Sequence, residues 1–270
     1  MLGEEERGKG MQIFKNPARE RLQNGELALG IGLRQARTVD IAPAMKAAGF
    51  DWLFIDLEHG SMGLDTAVQI SVAALAAGIS PIVRVPKGRY DLATRALDGG
   101  AFGIVMPHVD TADEAREIVS QLKYPPVGHR SIAGAMPQVS FQSVPLADAI
   151  AAVNSNMLIV AMLETPEAIA NADAIAAVPG IDVLLIGTND LTCEMGIAGA
   201  LMHERVAEAY QTMVPACRKH GKWAGMGGVY SEEGLRRYIE IGAQMILCGS
   251  DLSLLMSAGS ARTKFLRELG

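Results

Sequence analysis

The chain has 270 residues, 49% of them hydrophobic, enough to enclose one large core. Lys and Arg number 24 against 30 Asp and Glu, and the resulting charge of −6 argues against a nucleic-acid or anionic-membrane surface. Cys193, Cys217 and Cys248 show no paired spacing, so neither a disulfide framework nor a structural zinc site is expected, and a reducing cytoplasm is.

No apolar run approaches the roughly 18 residues that suggest a membrane span. The opening MLGEEERGKG is charged and has no apolar signal-peptide core; residues 1–10 are expected to be a disordered extension before one domain over 11–270. Asn16-Pro17 and Asn24-Gly25 bracket a short capped helix. Strands are then expected at 27–33, 52–57, 81–85 and 102–106, with helices at 40–48, 65–77, 90–98 and 111–123. Thr111 and Glu114 form a capping box for the last of these. Residues 124–144 have no period and carry Pro125-Pro126, Gly128-His129-Arg130 and Gly134, which marks a functional or interface loop. A helix at 145–153 precedes strands at 158–163, 183–186, 222–226 and 244–247, separated by helices at 165–178, 200–219 and 231–241. A final helix is expected over 252–269.

Eight short apolar strands alternating with helices predict an α/β fold, a (β/α)8 TIM barrel. Continuous apolar runs suit parallel strands covered on the outside. An open doubly wound sheet is the alternative, but Gly30-Ile31-Gly32-Leu33 lacks the third glycine of a dinucleotide turn.

Barrel chemistry gathers at the C-terminal ends of strands. Polar residues expected there are Asp56, Glu58, His59, Arg84, His108, Glu164, Asp190 and Asp251. Glu164 and Asp190 follow successive strands, and adjacent parallel strands lie about 4.8 Å apart, so the two acids can share one hard divalent cation. Helix capping by Glu164 and turn filling by Asp190 explain the spacing equally well. A cation there would polarise a 2-oxo acid towards its enolate. Arg84 would hold developing oxygen charge and His59 would relay a proton. Gly187-Thr188-Asn189 offers backbone N–H groups as a carboxylate cradle. His108 and Asp251 read equally as ordinary surface groups.

The ordered set DWLFIDLEHG, PIVRVP, ALDGGAFGIVMPHVDTADEAR, KYPPVGHRS, MLETPEA, LIGTNDL and GGVYSEEG, spread over about residues 17–266, resembles the HpcH/HpaI aldolase family. That resemblance implies a TIM barrel whose last helix is exchanged with a neighbour, in a dimer-based hexamer. It implies a divalent cation (Mg²⁺, Mn²⁺ or Co²⁺) on Glu164 and Asp190. It assigns Arg84, Asp56 and His59 to the site, the histidine as acid/base group, and gives Asp98 a histidine-orienting role at a subunit boundary. Gly187, Thr188 and Asn189, with Arg84, would bind substrate. Met162 stands where several relatives carry Gln, and Ser131 where many carry Gly, so the aldehyde partner is left open.

The implied reaction is cleavage of a 4-hydroxy-2-oxo acid to pyruvate, or a related 2-oxo acid, and an aldehyde, through a metal-stabilised enolate. Its alternatives are a citrate-lyase- or malyl-CoA-lyase-like carbon–carbon lyase, a Schiff-base aldolase using Lys87, and a non-catalytic barrel that binds 2-oxo acids. No Lys/Arg cluster suggests a CoA groove, and Lys222 would stand at the wrong end of its strand.

Overall fold

The structure, a computed structural model, describes residues 14–134 and 136–270; the expected extension at 1–10 lies outside the described residues. The strands are β1 (Ala28–Leu33), β2 (Trp52–Asp56), β3 (Ser80–Arg84), β4 (Gly103–Met106), β5 (Leu158–Leu163), β6 (Val183–Gly187), β7 (Trp223–Gly227) and β8 (Met245–Ser250). All pair in parallel with their neighbours, and β1 pairs with β8 to close the ring, so the open-sheet alternative is excluded. Helices α1 (Pro17–Gln23), α2 (Ile41–Ala47), α3 (Leu64–Ala77), α4 (Tyr90–Asp98), α5 (Ala112–Leu122) and α6 (Leu146–Asn156) belong to the first half. The second half carries α7 (Pro166–Ala170), α8 (Ala172–Ala176), α9 (Thr188–Glu194), α10 (Glu204–Lys219), α11 (Glu232–Ile241) and α12 (Asp251–Arg267). Among the described residues, no helix is long and apolar enough to cross a membrane.

Side chains alternate across each strand, and two separate cores result. One alternate set fills the barrel: Trp52, Phe54, Ile82, Val105, Leu158, Val160, Met162, Val183, Leu185, Met245 and Leu247. The other set, including Ile31, Leu53, Val83, Ile104, Ile159, Leu184 and Ile246, packs outward under the helices. Trp52 is the largest inward residue, and β1 makes room for it: a Cβ on Gly30 would lie 2.1 Å from the indole ring.

The N-terminal end of the barrel is plugged by α1, whose Ala18 and Leu22 join the inner core. Buried Asn16 fixes the plug. Its Nδ2 donates to the carbonyls of Phe102 (3.2 Å) and Asn156 (2.8 Å), and its Oδ1 accepts from Ser80 Oγ (2.7 Å) and Arg19 N (3.2 Å).

Most expected elements are present, including the Thr111–Glu114 capping box. Three expectations differ. The helix expected over 165–178 is two short ones, α7 and α8, broken at Asn171, whose Nδ2 donates to the Asp110 carbonyl at 2.8 Å. The helix expected from 200 starts at Glu204, where the His203 ring accepts from Arg205 N. The loop at 124–144 is anchored on its own barrel: Tyr124, Met136 and Gln138 are buried, and Gln138 Nε2 donates to the Leu97 and Ala101 carbonyls.

Helix α12 behaves unlike the others. None of its residues is buried, and Leu254, Leu255, Met256, Phe265 and Leu266 are exposed.

Removing the plug's anchor tests this account of the closed end. Asn16→Ala removes the acceptor of the Ser80 hydroxyl and a donor to the Phe102 and Asn156 carbonyls, and should lower unfolding free energy by about 1–3 kcal/mol. Urea denaturation reads this as a shifted midpoint; an unchanged midpoint would show that α1 is held by Ala18 and Leu22 alone.

Candidate active site

The inward set that fills the barrel ends, at the C-terminal rim, in polar or missing side chains. Asp56 is the last residue of β2 and Arg84 the last of β3, and the two are register partners. Both are almost wholly buried, so each charge needs the other. Arg84 Nε donates to Asp56 Oδ1 (3.0 Å) and Nη2 to Oδ2 (2.6 Å), a two-pronged pair, while Nη1 lies 3.2 Å from Glu58 Oε2. The guanidinium stacks 4.9 Å over the Phe54 ring. Asp56 Oδ1 also accepts the backbone N–H groups of Glu58 (3.1 Å) and His59 (3.2 Å). Burial raises the Asp56 pKa, but Arg84 and these amides outweigh it and leave it below the usual carboxylate range.

Glu164 follows β5 directly and is 2% exposed. Its Oε2 accepts the His108 backbone N–H at 2.8 Å and stands 3.3 Å from His108 Nδ1. His108 adopts a left-handed conformation (φ 52°), which turns both groups towards the acid. Asp190, in the first turn of α9 after β6, lies beside Glu164. Burial foremost, and Asp190 beside it, push the Glu164 carboxyl up to about 8. The approach is close because β6 ends in glycine: a Cβ on Gly187 would sit 2.6 Å from Glu164 Oε1. Two facing carboxylates, one of them deprived of water, are relieved by a shared proton or by a cation between them. A hard divalent cation fits this all-oxygen donor set. Among the described residues no group of three or more His, Cys, Asp and Glu side chains forms a metal cluster, so further ligands would be water or substrate.

A small cleft of about 90 Å³ opens over these groups. It brings together Arg84, Glu164, Gly187, Thr188, Asn189, Asp190 and the exposed His59, all expected from sequence, and Met162 lies on its floor. The Thr188 side chain turns away, fully buried, its hydroxyl 2.9 Å from Tyr210 Oη, so this residue can meet a ligand only through its backbone.

Asp98 is not brought to the cleft within one chain. It ends α4 on the barrel exterior and pairs with buried Arg130 of the 124–144 loop at 2.5 Å. Arg130 in turn stacks 4.4 Å over Tyr124, with its Nε and Nη1 unpartnered. Asp251 accepts the backbone N–H groups of Arg34, Gln35 and Ala36 at 2.7–3.0 Å. Lys87 pairs with Glu114 at 2.8 Å and is held charged: burial lowers its pKa, but Glu114 and Asp110 raise it further, opposite to what a Schiff-base nucleophile needs.

Two residues at the cleft were missed in the sequence: Arg34, next after β1, and Tyr230, in the loop after β7. Arg34 obeys the same strand-end rule that singles out Arg84. Tyr230 stands three residues beyond its strand, where no periodicity marks it.

A closed parallel barrel with polar groups gathered at its C-terminal rim has the architecture of a TIM-barrel enzyme. Residues 34–258 match the family model described as HpcH/HpaI aldolase/citrate lyase. The chain is 39% identical over 251 residues to a 4-hydroxy-4-methyl-2-oxoglutarate aldolase of Hapsidospora irregularis, covering 91% of this chain and 92% of that one. It is 32% identical to a 5-keto-4-deoxy-D-glucarate aldolase of Klebsiella pneumoniae, covering 91% and 94%. The crystal structure of an HpcH/HpaI aldolase from Desulfitobacterium hafniense superposes with a TM-score of 0.89 at 30% identity, covering 96% and 98%. The chain belongs to the HpcH/HpaI aldolase/citrate lyase family. It is an aldolase, a carbon–carbon lyase.

The raised Glu164 carboxyl links folding to pH. Below its ordinary value of 4.5 the group is protonated whether the chain is folded or unfolded. As pH climbs towards 8 the unfolded chain releases this proton and the folded chain keeps it, so stability falls. In chelator, unfolding free energy should drop by several kcal/mol, at most about 5, between pH 4.5 and 8 through this group. Denaturant titrations across that range should show the slope in the wild type and a flatter one in Glu164→Gln; parallel slopes would contradict the assignment.

Proposed function

We propose that the protein cleaves a 4-hydroxy-2-oxo acid to pyruvate, or a close 2-oxo acid, and an aldehyde, with a divalent cation held by Glu164 and Asp190. The observation that carries this reading is the buried Glu164 carboxyl against Asp190, an acid pair that no Lys or Arg salt bridge satisfies among the described residues. When bound, the cation supplies Lewis-acid polarisation of the keto group.

Cleavage breaks the C3–C4 bond. Its electron pair passes to the pyruvate enolate, and the 4-hydroxyl proton leaves as the aldehyde carbonyl forms. Arg84 lies beside the cleft with its charge fixed by Asp56 and Glu58, so it meets developing oxyanion charge without rearranging. His59, exposed at the mouth on a turn tied down by Asp56, is the group that takes and returns the proton. Gly187 leaves the space beside Glu164 clear, and the Thr188 and Asn189 backbone lines the same wall for the substrate carboxylate. Asp98 enters this scheme only through a second copy of the chain. Three free thiols, at Cys193, Cys217 and Cys248, support a cytoplasmic setting.

We also propose that α12 is exchanged between subunits of a dimer-based hexamer. Its exposed Leu254, Leu255, Phe265 and Leu266 support this, since burying such side chains is worth roughly 1.5–3 kcal/mol each.

Pyruvate release from a 4-hydroxy-2-oxo acid should require added Mg²⁺, Mn²⁺ or Co²⁺ after chelator treatment. Glu164→Ala should lose both calorimetric metal binding and turnover, and Arg84→Lys, which keeps charge but not the fork, should lose about 10²-fold in kcat. Undiminished turnover in EDTA or in Glu164→Ala would overturn the metal assignment.

Light scattering on purified protein should report a multiple of 28.6 kDa, six-fold for the hexamer. Truncation before Leu252 should leave dissociated or insoluble chain. A fully active monomer would show that α12 needs no partner.

A further inference from the structure

The turn between β4 and α5 is strained at one residue and tied down beyond it. His108 has a φ of 52°, a left-handed conformation that a residue with a side chain adopts only at a cost. Val109, which follows, is buried, and its N–H donates to the Met162 carbonyl of β5 at 3.0 Å. Asp110 is fastened three ways. Its N–H donates to Glu114 Oε2 (2.7 Å), its Oδ1 accepts from Thr165 Oγ1 (2.5 Å), and its carbonyl accepts from Asn171 Nδ2 (2.8 Å). The turn is thus strapped to the C-terminal end of β5 and to the residues just after it, and these bonds hold the strain at His108 in place.

The strained residue meets Glu164. Its N–H donates to Oε2 at 2.8 Å, and its ring Nδ1 stands 3.3 Å from the same oxygen. The other oxygen, Oε1, lies over the bare end of β6, 2.6 Å from where a Cβ on Gly187 would stand. Gly187 is part of the cleft wall. The two oxygens of one carboxylate therefore have different surroundings: Oε2 is drawn to the β4 turn, and Oε1 is left beside the cleft.

We infer that His108 is a positioning residue for Glu164, holding the carboxylate by Oε2 so that the acid presents one oxygen, Oε1, to a bound divalent cation. This rests on the metal reading above and adds to it how the acid is aimed and which cations it refuses. A carboxylate free to turn can grip a cation with both oxygens, which suits Ca²⁺, a large ion with many oxygen ligands. A carboxylate that offers one oxygen suits the smaller octahedral cations.

The test titrates Mn²⁺ and Ca²⁺, each alone, into chelator-stripped full-length protein in a calorimeter. Wild type should bind Mn²⁺ more tightly than Ca²⁺. His108→Ala loses the ring and resists the left-handed backbone. Its Mn²⁺ affinity should fall about 10–100-fold, the size expected when the outer partner of a metal ligand is removed, and its Ca²⁺ affinity by less. His108→Gly also loses the ring but takes a positive φ freely, so it keeps the amide on Oε2 and should bind Mn²⁺ more tightly than His108→Ala. A role in side-chain packing or loop rigidity gives the reverse order. The His108 side chain is 43% exposed, so neither variant empties the core. Unchanged Mn²⁺ affinity in His108→Ala, equal losses on the two ions, or affinity no higher in His108→Gly than in His108→Ala would overturn the assignment and leave the metal reading intact. A wild type that binds neither ion would overturn both.

Discussion

Successive residues of a β-strand face opposite ways, and a closed barrel turns that alternation into a sorting rule. Everything at the site depends on it. Trp52, Phe54 and Asp56 share one face of β2, and Ile82 and Arg84 share one face of β3. Leu158, Val160 and Met162 set the parity that carries Glu164 inward beyond β5, and Val183 and Leu185 do the same for Gly187. Between its two ends the barrel interior is sealed and apolar. The last inward position on each strand opens on the rim, so polar chemistry collects there, while at the opposite end inward Ser80 is matched by Asn16 of the plug.

At that rim the same element chemistry yields opposite outcomes for two carboxyls. Asp56 is buried but receives two guanidinium donors and two backbone amides, so it remains charged. Glu164 is as deeply buried, receives the His108 amide, and faces Asp190. The difference lies in partners and not in depth. An acid that is already satisfied can only orient others, and here it orients Arg84 and the turn bearing His59. An acid that is starved of positive charge retains the capacity to bind it.

Much of this was legible in the chain. Eight apolar runs, each closed by a glycine, a proline or a charged residue, gave the barrel because hydrophobic period and turn chemistry agree along most of its length. The abrupt endings at Asp56, Arg84 and Glu164 marked the rim for the same reason. What escaped was set by tertiary contact. The break at Asn171 arises from a bond to Asp110, 61 residues away. The burial of Tyr124 and Gln138 depends on the barrel wall beneath a loop that has no period of its own. Asp98 sits beside a conspicuous glycine pair, yet its partner, Arg130, is 32 residues further on. Arg34 was hidden by a simpler cause: its backbone is held by Asp251, near the other end of the chain.

Gly187 has a bearing on how this enzyme can be changed. Any side chain there would strike Glu164, and just beyond the neighbouring strand a Cβ on Gly228 would come within 2.9 Å of Asn189 Nδ2. The wall from β6 to β7 is therefore closed to redesign. Arg34, next after β1, and Tyr230, in the loop after β7, line the same cleft from loops. On the proposed reading, the barrel mouth thus has a fixed jaw for the keto acid and an adjustable one, built from loops, for the rest of the substrate. New substrate ranges can be sought on the second without dismantling the first.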